Sequence, residues 1–229
     1  MRAKWHYLFN AYPVNETLFY LFVISVNAIM LWRVLFSGDP AKIQRLTVND
    51  DLREAYSDGQ LLLETQEQRT LTSNGLFAVR ECIFIPEAKQ IQIVVRYNNS
   101  TLRQLAKDYG LENVPEKTEE LFDVSIVKTT DKTPLDITDN TNPEMLNEER
   151  YHPSGEPGRA YKRLYSYRRY VFENVTREDA VGMFVDIYYK GDADYEKTPY
   201  GALCIYEDGA LMEDVKLSRA DKKELKKEN

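Results

Sequence analysis

The chain has 229 residues with 30 basic and 37 acidic side chains, two histidines and two cysteines, which is room for one ordinary domain and an additional anchoring segment, and too few cysteines for a disulfide-built scaffold. Outside the first 36 residues, 27 basic residues face 36 acidic ones, a net charge of −9. A domain that negative repels phosphate backbones, which excludes nucleic acid as the expected partner.

Residues 1–17 read as an N-terminal juxtamembrane tail containing Arg2, Lys4, Trp5, Tyr7, Phe9 and Tyr12. From Leu18 to Phe36 the residues are LFYLFVISVNAIMLWRVLF, whose only charge is Arg33 near one end. That length and apolarity predict a single transmembrane helix over 18–36, with aromatic rings at both interfaces and Arg33 snorkelling. A cleaved signal peptide is the competing reading. The length of the run, the bulky Leu35 and Phe36 at its end, and the lack of a following cysteine favour a retained signal-anchor. Flanking basic residues nearly balance. The short basic tail before the helix favours an extracytoplasmic domain, while Lys226 and Lys227 near the C-terminus match a dilysine retrieval pattern and argue mildly the other way. A solvated helix end explains those lysines better. Sequons at Asn15, Asn98, Asn99 and Asn174 are short enough to arise by chance.

Residues 37–60, opening on Ser37, Gly38, Asp39 and Pro40, read as a linker with one irregular helical stretch. Residues 61–217 read as a β-rich soluble domain. Strands are expected at 61–65, 77–85, 90–97, 121–128, 161–172, 181–189 and 200–207, all rich in β-branched and aromatic residues. Period-two alternation is clearest at Val124 and Ile126 and at Met183, Val185 and Ile187. Pro86 is expected to fix the first bend of a hairpin between the second and third strands. Thr101 and Gln104 have capping-box spacing before the stripe Leu102, Leu105, Ala106 and Tyr109, and Gly110 ends that helix. Residues 129–160 form a long polar loop with four prolines. Residues 218–229 form a charged C-terminal helix and tail with Ser218 as cap. Seven short strands and one or two short helices predict a mainly β fold, an antiparallel β-sandwich-like domain.

Chemistry is sparse. His6 stands beside the membrane segment and His152 in the long loop, and a lone loop histidine is normally just solvated. Cys82 and Cys204 lie on expected strands as small apolar residues, with one disulfide between them as the alternative. Asp192, Asp194 and Glu196 alternate like the start of a calcium loop without its glycine and terminal glutamate, and Asp131, Asp136 and Asp139 cluster in the long loop. Both read as solvated acidic loops, and no metal or cofactor is expected. No phosphate loop, nucleophile elbow or Cys-x-x-Cys occurs.

Tyrosine, 16 of 229 residues, is the feature above background. In one alternating strand, Tyr161, Arg163, Tyr165, Tyr167 and Arg169 would share a face suited to stacking on sugars or docking a protein. A half-buried sheet with hydroxyls reaching water is the plainer account. The expected function is therefore a membrane-anchored, non-enzymatic interaction or ligand-binding module with a protein or glycan partner. Two alternatives stand beside it. One is a hydrolase at the membrane surface or envelope using carboxylates such as Asp186 or Asp192. The other is a structural subunit of a membrane complex in which Asn27 bonds a neighbouring helix.

Overall fold

The structure is a computed structural model, and it describes residues 13–35, 46–66, 71–128, 149–161, 164–179, 182–192, 199–206 and 212–227. His6, Arg163, Asp131, Asp136, Asp139, Asp194 and Glu196 lie outside the described residues, as does most of the long loop. The chain divides into two compact units, one holding the first helix and the other the β domain.

Helix α1, Pro13–Leu35, is 23 residues long. Its described side chains run from Leu18 to Trp32 and are exposed on every side, with Phe22 at 67 %, Ile24 at 63 % and Trp32 at 63 %. Asn27 donates its amide to the carbonyl of Val23 at 2.7 Å, so its N–H is bonded within its own helix. Among the described residues no helix is long and apolar enough to cross a membrane. A helix stands at Pro13–Leu35, where the transmembrane segment is expected, but the expected membrane crossing is not borne out by it.

The second unit is mainly β, with two antiparallel sheets. Its strands are β1 (Glu64–Gln66), β2 (Ala78–Ile85), β3 (Gln90–Asn98), β4 (Phe122–Lys128), β5 (Glu149–Tyr151), β6 (Gly158–Tyr161), β7 (Tyr165–Glu173), β8 (Met183–Tyr189), β9 (Gly201–Tyr206) and β10 (Met212–Asp214). One sheet has the order β10-β1-β2-β3-β7-β6 and the other β5-β4-β8-β9. Alternation explains how they stack. Ile91, Ile93 and Val95 of β3 and Tyr170 and Phe172 of β7 project from the first sheet into the same core as Val124 and Ile126 of β4 and Val185 and Ile187 of β8 from the second. A single apolar layer between two sheets is the sandwich principle, and a period of two along each of these strands supplies it.

The expected strand over 161–172 is two strands. Residues 162 to 164 separate β6 from β7, which pair antiparallel with Tyr161 opposite Ser166. The residues of that connection include no glycine, proline or asparagine, so nothing in them announces a turn. β5 and β10 are three residues each, too short to carry a periodic signal. In the β2–β3 hairpin, the Lys89 N–H bonds the Pro86 carbonyl at 3.1 Å, so Pro86 precedes the bend instead of forming its first corner, and Lys89 takes a left-handed φ of 47°.

Among the described residues three short helices complete the unit: α2 (Asp50–Ser57), α3 (Asn99–Asp108) and α4 (Arg219–Leu225). In α3 the cap is Asn98, and Thr101 is the third residue of its capping box, so the helix starts earlier than the spacing of Thr101 and Gln104 suggests. Ser218 caps α4. The stretch expected to be a linker is built into the domain at its C-terminal end. Leu46, Leu52 and Leu63 bury against Ile83 and Ile85 on the outer face of the first sheet, together with Leu225 of α4. Gln92 of β3 bonds the backbone of Thr47 twice, accepting from its N–H and donating to its carbonyl, each at 2.8 Å. Asp221 of α4 accepts the Leu46 N–H at 3.0 Å while also capping its own helix at Ser218. An Asp221→Ala variant therefore loses a cap and a buried tie at once. It is expected to lower unfolding free energy by about 2 kcal/mol in urea titrations of the full-length protein in detergent.

The two cysteines do not form a disulfide. Cys82 faces the shared core from the first sheet and its thiol donates to the Tyr206 hydroxyl at 3.4 Å. Cys204 of β9 alternates with the core residues Leu203 and Ile205, which places it on the opposite face of the second sheet. That geometry corrects the alternative of a bridge between them.

Candidate functional site

The alternating Tyr/Arg face does not form as one surface. Tyr165, Tyr167 and Arg169 do share the outer face of β7, but Tyr167 is fully buried, packed with Val94 of β3. Arg169 is 3 % exposed; its guanidinium donates to Glu81 at 2.5 Å and to Gln92 at 3.1 Å. Burial pushes the Arg169 guanidinium down from its ordinary value, and Glu81 works against that. These two residues hold the sheet together. Tyr165 is half-buried beneath the Arg96 guanidinium, 4.6 Å above its ring. Tyr161, 38 % exposed, stands on β6 and, by its pairing with Ser166, faces the other way.

That other face carries Arg168, a residue outside the expected Tyr/Arg set. Arg168 is 3 % exposed on the core side of β7, near the edge of the shared core. Its guanidinium lies 4.9 Å from the Tyr161 ring centroid and 5.9 Å from that of Tyr97. It donates to carbonyl oxygens: Tyr167 at 3.1 Å, Lys117 at 3.3 Å and Glu119 at 3.4 Å.

Arg168 opens onto a cleft of about 250 Å³. The floor comes from the first sheet, with Tyr97, Arg168 and Tyr170, and from the start of β4, with Phe122 and Asp123. Glu119 and Glu120, just before β4, form one wall. Residues 153–157, between β5 and β6, form another, tied to β7 by the Ser154 N–H on the Val171 carbonyl at 2.7 Å. Lys190, just after β8, also lines it. Burial pushes the hydroxyls of Tyr97 and Tyr170 up from the ordinary phenol value, which the neighbouring Arg168 charge only partly offsets. They are neutral donors at physiological pH. The cleft thus sets ring edges and neutral hydroxyls beside acceptor carboxylates and one buried cation.

The other conspicuous tyrosines are structural. Phe77, Tyr97, Phe122 and Tyr200 pack edge to face or stacked within 4.9 to 6.4 Å. Tyr109 donates to Asp192 at 3.0 Å and Tyr200 to Asp108 at 2.8 Å. Asp186 accepts the Tyr188 hydroxyl at 3.0 Å. Asp186 and Asp192, the carboxylates a hydrolase would use, are thus each held by a tyrosine and do not line the cleft. His152 is exposed. Among the described residues no cluster of histidine, cysteine, aspartate or glutamate has the arrangement to hold a metal ion.

The tyrosine bonds have an alkaline consequence. Burial first, and then the bond to Asp192, push the Tyr109 hydroxyl up to about 12 from 10.0, and Tyr200, Tyr188, Tyr170 and Tyr206 are raised as well. A phenol raised on folding stabilises the native state fully below its unfolded value. That contribution is lost as pH rises from there through the folded value. Stability is therefore expected to fall between pH 10 and about pH 12 for Tyr109. In a spectrophotometric phenolate titration, these tyrosines should ionise together with unfolding, not as independent exposed phenols.

Comparison with protein-family models gave no match. Searches of curated proteins and of solved structures gave none either.

Proposed function

We propose that this chain is a membrane-tethered binding module that takes a hydroxyl-rich ligand of the glycan class in the cleft beside Arg168, with its β domain on the extracytoplasmic side. The observation that carries the reading is the lining of that cleft, where Glu119, Glu120 and Asp123 accompany Tyr97, Tyr170 and Phe122. Carboxylate oxygens accept from ligand hydroxyls, neutral phenols donate back, and ring faces and edges pack on the apolar side of a sugar. A few polar groups converging in an apolar recess is the general form of a small-ligand site.

What supports the tether is the chemistry of α1. An apolar helix with no polar stripe is stable in lipid or in a protein core and costly in water. In the sequence the apolar run extends from Leu18 through Phe36 with Arg33 as its only charge, and such a run, if helical throughout, would rise about 29 Å against a hydrocarbon layer of about 30 Å. The internal bond of Asn27 lowers the cost of placing its amide there.

Two measurements test this. Full-length protein should stay with the membrane after carbonate extraction, and its release to the supernatant would remove the tether. On a glycan array, detergent-solubilised full-length protein should retain a subset of glycans, with signal lost in Glu120→Gln and Asp123→Asn variants. No retained glycan, or retention indifferent to both variants, would remove the cleft as the site.

A further inference from the structure

Resting on that reading of the cleft, we infer that the sugar it accepts is an acidic one whose carboxylate is taken by Arg168. A buried guanidinium is normally matched by a carboxylate, because removing a charge from water without a counter-charge is costly. Among the described residues Arg168 has no such match. Its three hydrogen bonds go to neutral backbone carbonyls.

The carboxylates nearest in sequence to its carbonyl acceptors each give one oxygen to another partner, and none of them pairs with Arg168. The side chain of Glu119 accepts the Glu116 N–H at 2.8 Å, and that of Glu120 pairs with Arg159 on β6. Only the backbone of Glu119 reaches Arg168. Asp123 turns back on the N–H of Val124 at 3.1 Å. A guanidinium has five N–H donors. The three bonds leave donors of Arg168 available where it lines the cleft. The rings of Tyr97 and Tyr161 lie beside the cation. Lys190 adds a second positive charge to the lining, on the second sheet's side.

The two signs of charge in the cleft then have separate tasks. Arg168 takes the ligand carboxylate by charge-assisted hydrogen bonds, and the acidic wall accepts its hydroxyls. A neutral sugar leaves the cation unmatched, and a simple carboxylate leaves the acidic wall and rings without contacts. A uronic acid serves both.

The test uses full-length protein in detergent micelles, with glucuronate, glucose and acetate as probes in calorimetric titrations. Glucuronate should bind about tenfold tighter than glucose or more, the usual scale of one charge-assisted contact. Arg168→Gln should bring glucuronate down to the glucose level, and Arg168→Lys should recover part of the difference. Should Arg168→Gln fail to fold, Arg168→Lys at native melting temperature takes its place, with glucuronate affinity falling part of the way to the glucose level, and an unchanged glucuronate affinity in that variant would overturn the assignment. Equal affinity for glucuronate and glucose would overturn the acidic assignment and leave the glycan cleft standing. A glucuronate preference that survives Arg168→Gln in folded protein, displacement of glucuronate by equimolar acetate, or no binding of either sugar would each overturn it. The cleft variants on the glycan array judge the broader reading separately.

Discussion

Replacing Phe77 with alanine is expected to lower the melting temperature of the β domain by about 10 °C or more. Phe77 is 1 % exposed and stands between the two sheets, edge to face with Phe122 at 4.9 Å, with Tyr200 at 6.0 Å and with Tyr97 at 6.1 Å. Its ring also lies 3.1 Å from where a β-carbon on Gly201 would be, so β9 approaches as closely as glycine allows. Deleting the ring removes transfer free energy and three aromatic contacts and leaves a cavity that rigid neighbouring strands cannot close. Phenylalanine-to-alanine changes in such sites cost about 3–5 kcal/mol, and a domain of this size loses about 2–4 °C per kcal/mol. Scanning calorimetry or circular dichroism melting checks the value. A loss under about 3 °C would show that the ring does not pack as described. Tyr97 and Phe122 belong to both the aromatic cluster and the cleft, so the same variant should also weaken ligand binding.

The second large effect is electrostatic. Glu81→Ala is expected to destabilise the domain by about 3 kcal/mol in denaturant titrations, because it takes the ion-paired carboxylate from the buried Arg169 guanidinium and leaves the neutral amide of Gln92 and the weaker influence of the Asp221 charge. The Glu81 side chain keeps 29 % of its exposure, which holds the figure to the lower part of the range for buried pairs. The companion prediction separates charge from packing. A Glu81→Leu, Arg169→Met double variant should regain most of the loss, since apolar residues of similar volume carry no desolvation cost. If the double variant is as unstable as Glu81→Ala alone, the pair matters for its hydrogen-bond geometry and not for charge.

How much of this is legible in the residues depends on whether the deciding contacts are local. The inward alternation of β4 and β8 reads directly from Val124 and Ile126 and from Met183, Val185 and Ile187, because a period of two is a property of the strand itself. The same rule misleads between Tyr161 and Phe172. An unbroken β-forming run conceals the connection at residues 162–164, and one missed reversal moves Tyr161 to the face opposite Tyr165 and Tyr167. Arg168 then looks like one more solvated charge, although it is as deeply buried as its neighbour Arg169. Asn49 and the acidic pair Asp50 and Asp51 mark the start of α2, yet only Leu52 of that helix is fully buried, too faint an apolar stripe to separate it from a linker. The cleft is not legible at all. Tyr97, Asp123, Pro153, Arg168 and Lys190 are brought together by strand pairings between distant segments, and no local spacing encodes that meeting.

The docking of Thr47 on Gln92 bears on how the domain responds to mechanical load. A pull applied to the domain at Leu46 and Thr47 passes through the paired bonds of Gln92 into β3. That strand is flanked by β2 and β7, and its pairing with β7 runs over nine residue pairs from Gln90 to Asn98. Such a pull therefore enters the first sheet at an inner strand, held by a ladder on either side, and not at an edge strand.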